Sequence, residues 1–193
     1  MTSSGIKQVA LTHFAQHGYE GTSLKDIAEG VGIKKPSLYN HFASKEDVFL
    51  AVVDDVFAAY VSHVNRCLKE AEGLGIERQL KEALLATCVF LSGDHFGRLY
   101  IRVLMFPPLQ LKAEINARFA AFEGKTDEIF RSLFAKGVSE QFIRAGDIDQ
   151  YLQAFYVMMD GITTEMFIYQ KETVERKAEA AWRVFWHSIQ AAQ

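Results

Sequence analysis

The chain has 193 residues, of which 49% are hydrophobic, enough to bury a real core as one compact unit or as a small domain joined to a larger one. Its formal net charge of −3 excludes a global basic field, so any contact with nucleic acid has to come from a local patch. Two cysteines, Cys67 and Cys88, make no disulfide framework and suit a reducing cytoplasm, while the start "MTSSGIKQ" shows no signal pattern and no apolar run approaches a membrane span.

Almost every stretch predicts helix. Residues 5–17 place Ile6, Val9, Ala10 and Phe14 on one face, and Gly18 stops that helix. Ser23 opens a second helix, with Asp26 as its capping-box partner and Leu24, Ile27, Ala28 and Val31 as its apolar stripe. Gly32 suits the turn that follows, and a third helix is predicted over about 35–42, with Pro36 in its first turn and Leu38 and Phe42 facing inward. Ser44 and Asp47 repeat the capping pattern. They open a long helix whose period runs through Val48, Phe49, Val52, Val56, Tyr60, Val64 and Leu68 to about residue 70. Gly73 and Gly75 break it. Further helices are predicted near 76–92, 96–106, 109–136, 148–169 and 173–190, with Pro107 and Pro108 as one boundary, Gly137 as another and "RAGDID" at 144–149 as a turn. The reading is therefore all-α: a three-helix head over residues 1–46, joined by the long helix to a larger helical bundle over 47–193.

The head has the layout of a helix-turn-helix, which holds its second helix out for a DNA major groove. Charge agrees with that layout. The first 50 residues carry five lysines against five acids, yet no acid lies between Gly30 and Lys45, so the positive charge sits at the tip. With Leu38 and Phe42 inside, Pro36, Ser37, Tyr39, Asn40 and His41 are left nearer the outer surface. Tyr39 and His41 can donate to phosphates, and Ser37 and Asn40 are the right types for base edges. Lys34 and Lys35 precede them, and Ser44 and Lys45 open the next helix, whose first N–H groups also suit a phosphate.

The stretch "HFAQHGYEGTSLKDIAEGVGIKKPSLYNHFASKEDVF" closely resembles the DNA-binding head of the TetR family of bacterial transcriptional regulators. Phe14, Gly18, Tyr19, Thr22, Ser23, Ile27, Ala28, Gly32, Ile33, Ser37, Leu38, Tyr39, Phe42, Lys45 and Glu46 carry the resemblance, which covers about a quarter of the chain. It implies a homodimeric regulator, most often a repressor, that leaves a double-stranded DNA operator when a small molecule enters the body, with Thr22, Ser23 and the tip residues above as DNA contacts. Two departures stand out. Lys34 occupies a position where many relatives place a capping Ser or Thr, and "MTSSG" offers no basic arm for the minor groove.

The body fits the resemblance by layout. Its last two helices are the candidate dimer face, through Met158, Ile162, Met166, Trp182, Phe185, Trp186 and Ile189, because broad apolar stripes with tryptophan invite burial against a twin. An effector site between the middle helices would draw on Phe90, Phe96, Tyr100, Met105, Phe106, Phe119, Phe122, Phe155 and Met159, which favours a hydrophobic or aromatic ligand, with His95, Arg102, Arg118 and Asp160 as polar anchors. His13 and His17, four apart, lack an evident third metal ligand, and there is no nucleophile motif, phosphate loop or supported carboxylate pair. The expectation is a non-enzyme with no cofactor and no metal. The reading from another class is a helical small-molecule-binding protein or enzyme whose helix-turn-helix only packs.

Overall fold

The computed structural model describes residues 2–192. In chain order the helices are α1 (Ser3–His17), α2 (Leu24–Val31), α3 (Lys35–Leu38), α4 (Lys45–Glu70), α5 (Ile76–Ser92), α6 (His95–Met105), α7 (Lys112–Ser139), α8 (Ile148–Met166) and α9 (Lys171–Ile189), with a 3₁₀ turn over Leu109–Leu111 before α7. The β pairing among the described residues is a single antiparallel bridge, Ile143 with Gln190. The all-α reading of the sequence therefore holds.

Most predicted helices appear within a residue or two of their expected ends, and three differ. α3 spans Lys35–Leu38 rather than reaching residue 42. It is an uncapped segment, because Lys34 at its N-cap supplies no side-chain acceptor, and the Asn40 and His41 that follow are weak helix formers. The predicted helix at 109–136 divides into the 3₁₀ turn and α7. Gly137 does not end α7, which runs on to Ser139 because the αL position that closes it is taken by Gln141, at φ 60°. The third is α8, which stops at Met166, three residues early.

The chain forms two compact units. One holds the residues up to Ala59 together with Gly93–Phe122; the other holds Tyr60–Ser92 and the residues from Glu123 onward. In the first unit α1 packs on α2 and on α6, and α2 packs on α3. Ile6, Phe14, Ile27, Leu38 and Val48 are wholly buried there, around the edge-on contact of Phe14 with Phe49 at 4.9 Å. A second aromatic set in that unit stacks Phe57 on Phe122 at 4.8 Å beside Tyr100 and Phe119. In the second unit α8 packs on α5 and α9. Phe130, Phe134 and Phe155 fill its centre, with Phe130 and Phe155 at 5.0 Å and Phe185 against both Phe134 and Phe155. No helix among the described residues is long and apolar enough to cross a membrane.

Candidate nucleic-acid interface

Local hydrogen bonds define both ends of α2. Ser23 caps α2 through a reciprocal pair: its hydroxyl accepts from the Asp26 amide at 3.2 Å, and the Asp26 carboxylate accepts from the Ser23 amide at 2.8 Å. These bonds hold the Asp26 carboxyl below its usual range. At the far end Gly32 takes the left-handed conformation, φ 77° and ψ 30°. Its N–H meets the Glu29 carbonyl at 3.0 Å, and the Ile33 N–H meets the Ala28 carbonyl at 2.9 Å. This pair of bonds closes a helix and turns the chain sharply, so α3 leaves α2 at a set angle.

From that turn the tip projects outward. Lys34, Lys35, Pro36, Ser37, Tyr39, Asn40 and His41 are all exposed, while Leu38 is wholly buried and Phe42 nearly so. Tyr39 is 50% exposed, so its ring belongs to the surface and not to the core of the head. Beyond Leu38 the chain stays helix-like in turns, with His41 N–H on Leu38 O at 3.0 Å and Phe42 N–H on the same carbonyl at 3.1 Å. The short α3 therefore still presents its polar residues on one outward side.

Four other candidates have internal employment. The Thr22 hydroxyl is buried and donates to the Gly18 carbonyl at 2.8 Å. Ser23 is committed to its cap. Ser44 accepts from the Asp47 amide at 3.1 Å, while the Asp47 carboxylate accepts from the Ala43 amide at 3.0 Å. Lys45 donates to the carbonyls of Tyr19 at 2.9 Å and Thr22 at 3.2 Å, and its ammonium stands 4.0 Å over the Tyr19 ring.

The nine effector candidates fall in both units. Tyr100, Phe119 and Phe122 lie with Phe57 in the first unit. Phe90 stacks on His63 at 4.6 Å, Phe155 is wholly buried and Met159 accepts from the Tyr60 hydroxyl, all in the second. Phe96 is half-buried. Met105 and Phe106 are 67% and 78% exposed, because α6 ends at Met105 and the two prolines carry the chain away. Of the polar anchors, Arg118 pairs with Asp54 at 3.0 Å, although its Nε is poorly aligned for a hydrogen bond. Burial pushes the Asp160 carboxyl up. His95 opens α6 with an unpartnered Nδ1, and Arg102 is exposed near the other end of that helix.

The seven dimer candidates also divide. Trp182, Ile162, Phe185 and Ile189 are buried within the single chain, and the Trp182 indole donates to Glu77 at 3.4 Å. Met158, Met166 and Trp186 are half-buried, Trp186 by stacking on Trp182 at 6.0 Å. Three of the seven, Met158, Ile162 and Phe185, line an open apolar groove of about 910 Å³ that α8 and α9 leave, together with Ala154, Val157, Gly161, Ala180, Ala181 and Val184 among others. Val157 and Val184 are 72% and 73% exposed. The sequence reading passed over Ala154, Val157, Gly161, Ala180 and Val184; the small side chains at helical spacing, Ala154 to Gly161 and Ala180 to Val184, are the signal that marks them. His13 and His17, with ring centroids 5.9 Å apart, line a polar cleft with Asp26 and Glu29. No three donors among the described residues are grouped to hold a metal.

Residues 6–52, the segment that builds this capped and projecting head, match the family of bacterial regulatory proteins called tetR. The biofilm operon icaADBC negative transcriptional regulator IcaR of Staphylococcus epidermidis is 40% identical over 107 residues, 55% of each chain. IcaR of Staphylococcus aureus strain Newman is 55% identical over 98 residues, 51% of each. The transcriptional repressor ComR of Escherichia coli K12 is 53% identical over 53 residues, 26% of this chain and 25% of its own. The alignments with IcaR thus span about half the length of each protein. Over the full length the likeness is one of fold. A chain assigned to the TetR family from Mesorhizobium loti superposes with a TM-score of 0.82 at 21% identity, covering 98% of this chain and 96% of that one. The regulator FadR of Bacillus subtilis, solved with stearoyl-CoA, gives 0.75 at 18% identity over 95% and 97%. Residues 6–52 thus match the tetR family by sequence, and over its full length the chain shares the fold of these two solved regulators.

Proposed function

We propose that this protein is a sequence-specific DNA-binding transcriptional repressor that works as a homodimer in the cytoplasm. One observation carries the reading: a helix-turn-helix, capped at both ends of α2, holds an acid-free polar tip with Lys34, Lys35, Ser37, Tyr39, Asn40 and His41 exposed on it. Ser37 and Asn40 would read base edges; the lysines, Tyr39 and His41 would meet phosphates. Residues 1–46 form the DNA-binding domain, and residues 47–193 serve dimerisation and sensing.

The groove between α8 and α9 supports the two-fold assembly, because exposed valines flanked by alanine and glycine let two helix pairs approach closely and bury an apolar face. A small hydrophobic or aromatic ligand releases the DNA by binding the DNA-incompetent dimer better; equal affinity for both states would shift nothing. FadR of Bacillus subtilis, a neighbour in fold, was solved with stearoyl-CoA, whose acyl chain is apolar. The experiment is selection of duplexes from a random pool on the purified full-length chain, followed by salt titration of the winner. A two-fold repeated site with a steep salt slope is expected. Retention of no duplex at low salt rejects the reading and leaves a helix-turn-helix that only packs.

A further inference from the structure

The Lys45 ammonium, near the tip, is engaged by the protein itself. An ammonium has three donors and no acceptor. Two of the three go to the carbonyls of Tyr19 and Thr22, and the charge stands over the Tyr19 ring at 4.0 Å. That ring is fixed in turn. It packs edge-on against Phe49 at 5.0 Å and stacks beside Phe14 at 6.2 Å. Its hydroxyl donates to Glu46 at 2.8 Å, and burial, then the Glu46 contacts, push the phenol up to about 12. The Glu46 carboxylate is held below its usual range, first by its own backbone amide and then by Tyr19.

Two consecutive residues of the first turn of α4 thus grip one segment, the Gly18–Thr22 turn between α1 and α2. The turn needs such help. Its backbone leaves carbonyls that no helix ladder serves, and buried polar groups without partners are costly. On its other side it meets α6 and the 3₁₀ turn. A Cβ at Gly18, where φ is 74°, would lie 2.5 Å from Nη1 of Arg102, and Gln110 donates to Glu20 at 3.2 Å. The turn ends at Ser23, the N-cap of α2, so its position sets α2 and, through the Gly32 turn, the exposed tip.

We infer that Lys45 is a positioning residue, holding the Gly18–Thr22 turn and through it the α3 tip in the DNA-reading geometry, rather than a contact to a phosphate. The inference rests on the DNA reading above, and it separates from that reading by experiment. A phosphate contact contributes to the salt dependence of binding, whereas a residue that only positions the tip lowers affinity at every salt concentration alike.

The test uses the full-length chain, the selected duplex and fluorescence anisotropy between about 50 and 300 mM salt, with amide hydrogen exchange of the unbound protein. Lys45→Met keeps the stem and removes the donors. It is expected to weaken binding about tenfold at all salt concentrations, to leave the slope of log K against log salt at the wild-type value, and to speed exchange across Gly18–Thr22. Lys35→Ala, the phosphate control, is expected to flatten the slope by about 0.9 and leave exchange unchanged. Tyr19→Phe removes only the bond to Glu46 and keeps the ring, so it carries the test if Lys45→Met fails to fold; about threefold weaker binding with an unchanged slope is expected. A slope flattened by about one contact in Lys45→Met, or exchange at Gly18–Thr22 no faster than wild type, overturns the inference. A wild type that binds no duplex rejects the DNA reading instead, while exchange in Lys45→Met against wild type still reports whether Lys45 restrains the turn.

Discussion

The head and the second compact unit are held together by different means. In the head, polar devices do much of the work: a reciprocal cap on α2, a left-handed glycine at its end, a lysine and a glutamate gripping one turn from the start of α4. The second unit rests on a mass of aromatic rings, Phe130, Phe134, Phe155, Trp182 and Phe185, in mutual contact. Polar devices are directional and specify one geometry. Aromatic packing contributes more free energy, but it tolerates exchange of one apolar side chain for another.

Five substitutions test that contrast. The largest effect is expected from Trp182→Ala, which empties a site only 2% exposed in the second unit and should cost about 3–5 kcal/mol in chemical denaturation. A loss below about 1 kcal/mol would mean that the tryptophan is not part of that unit's own core.

Next in size is Val184→Glu, at a position 73% exposed in the single chain. If the groove is the dimer face, the buried charge should cost about 3 kcal/mol, raising the dimer dissociation constant roughly a hundredfold in sedimentation equilibrium. A wild type that is already monomeric at micromolar concentration would remove the basis for the dimer.

Asn40→Ala should cost about 1–3 kcal/mol at one base-pair position and relax preference there, with little change in melting temperature, because its side chain is exposed. Uniform weakening across all operator variants would instead mark Asn40 as a phosphate contact.

The smallest effect belongs to the cap. Ser23→Ala should destabilise the head by about 1 kcal/mol. Its partner Asp26 adds a pH signature. The carboxyl is held below its ordinary value in the folded state, so its contribution is fully present above the unfolded value of about 3.9 and is lost as pH falls through the folded one. The stability difference between wild type and Asp26→Asn should therefore be flat above about pH 5 and close on acidification. A difference that grows toward low pH would contradict the cap.

The sequence by itself determined the all-α class, the start of α2 at Ser23, the turn at Gly32 and the inward-facing Leu38 and Phe42. Each depends on residue types at fixed short separations, where a serine three before an aspartate or a glycine at a left-handed position has one physical use. The tertiary structure decided what depends on residues far apart in the chain. It gave Lys45 the carbonyls of Tyr19 and Thr22, turned Trp182 inward to Glu77, and left Val157 and Val184 outside. Periodicity tells which residues of a helix share a face, but not what that face meets. On α9, where both sides carry apolar residues, only the packing of α8 and α9 settled which stripe fills the core and which lines the open groove.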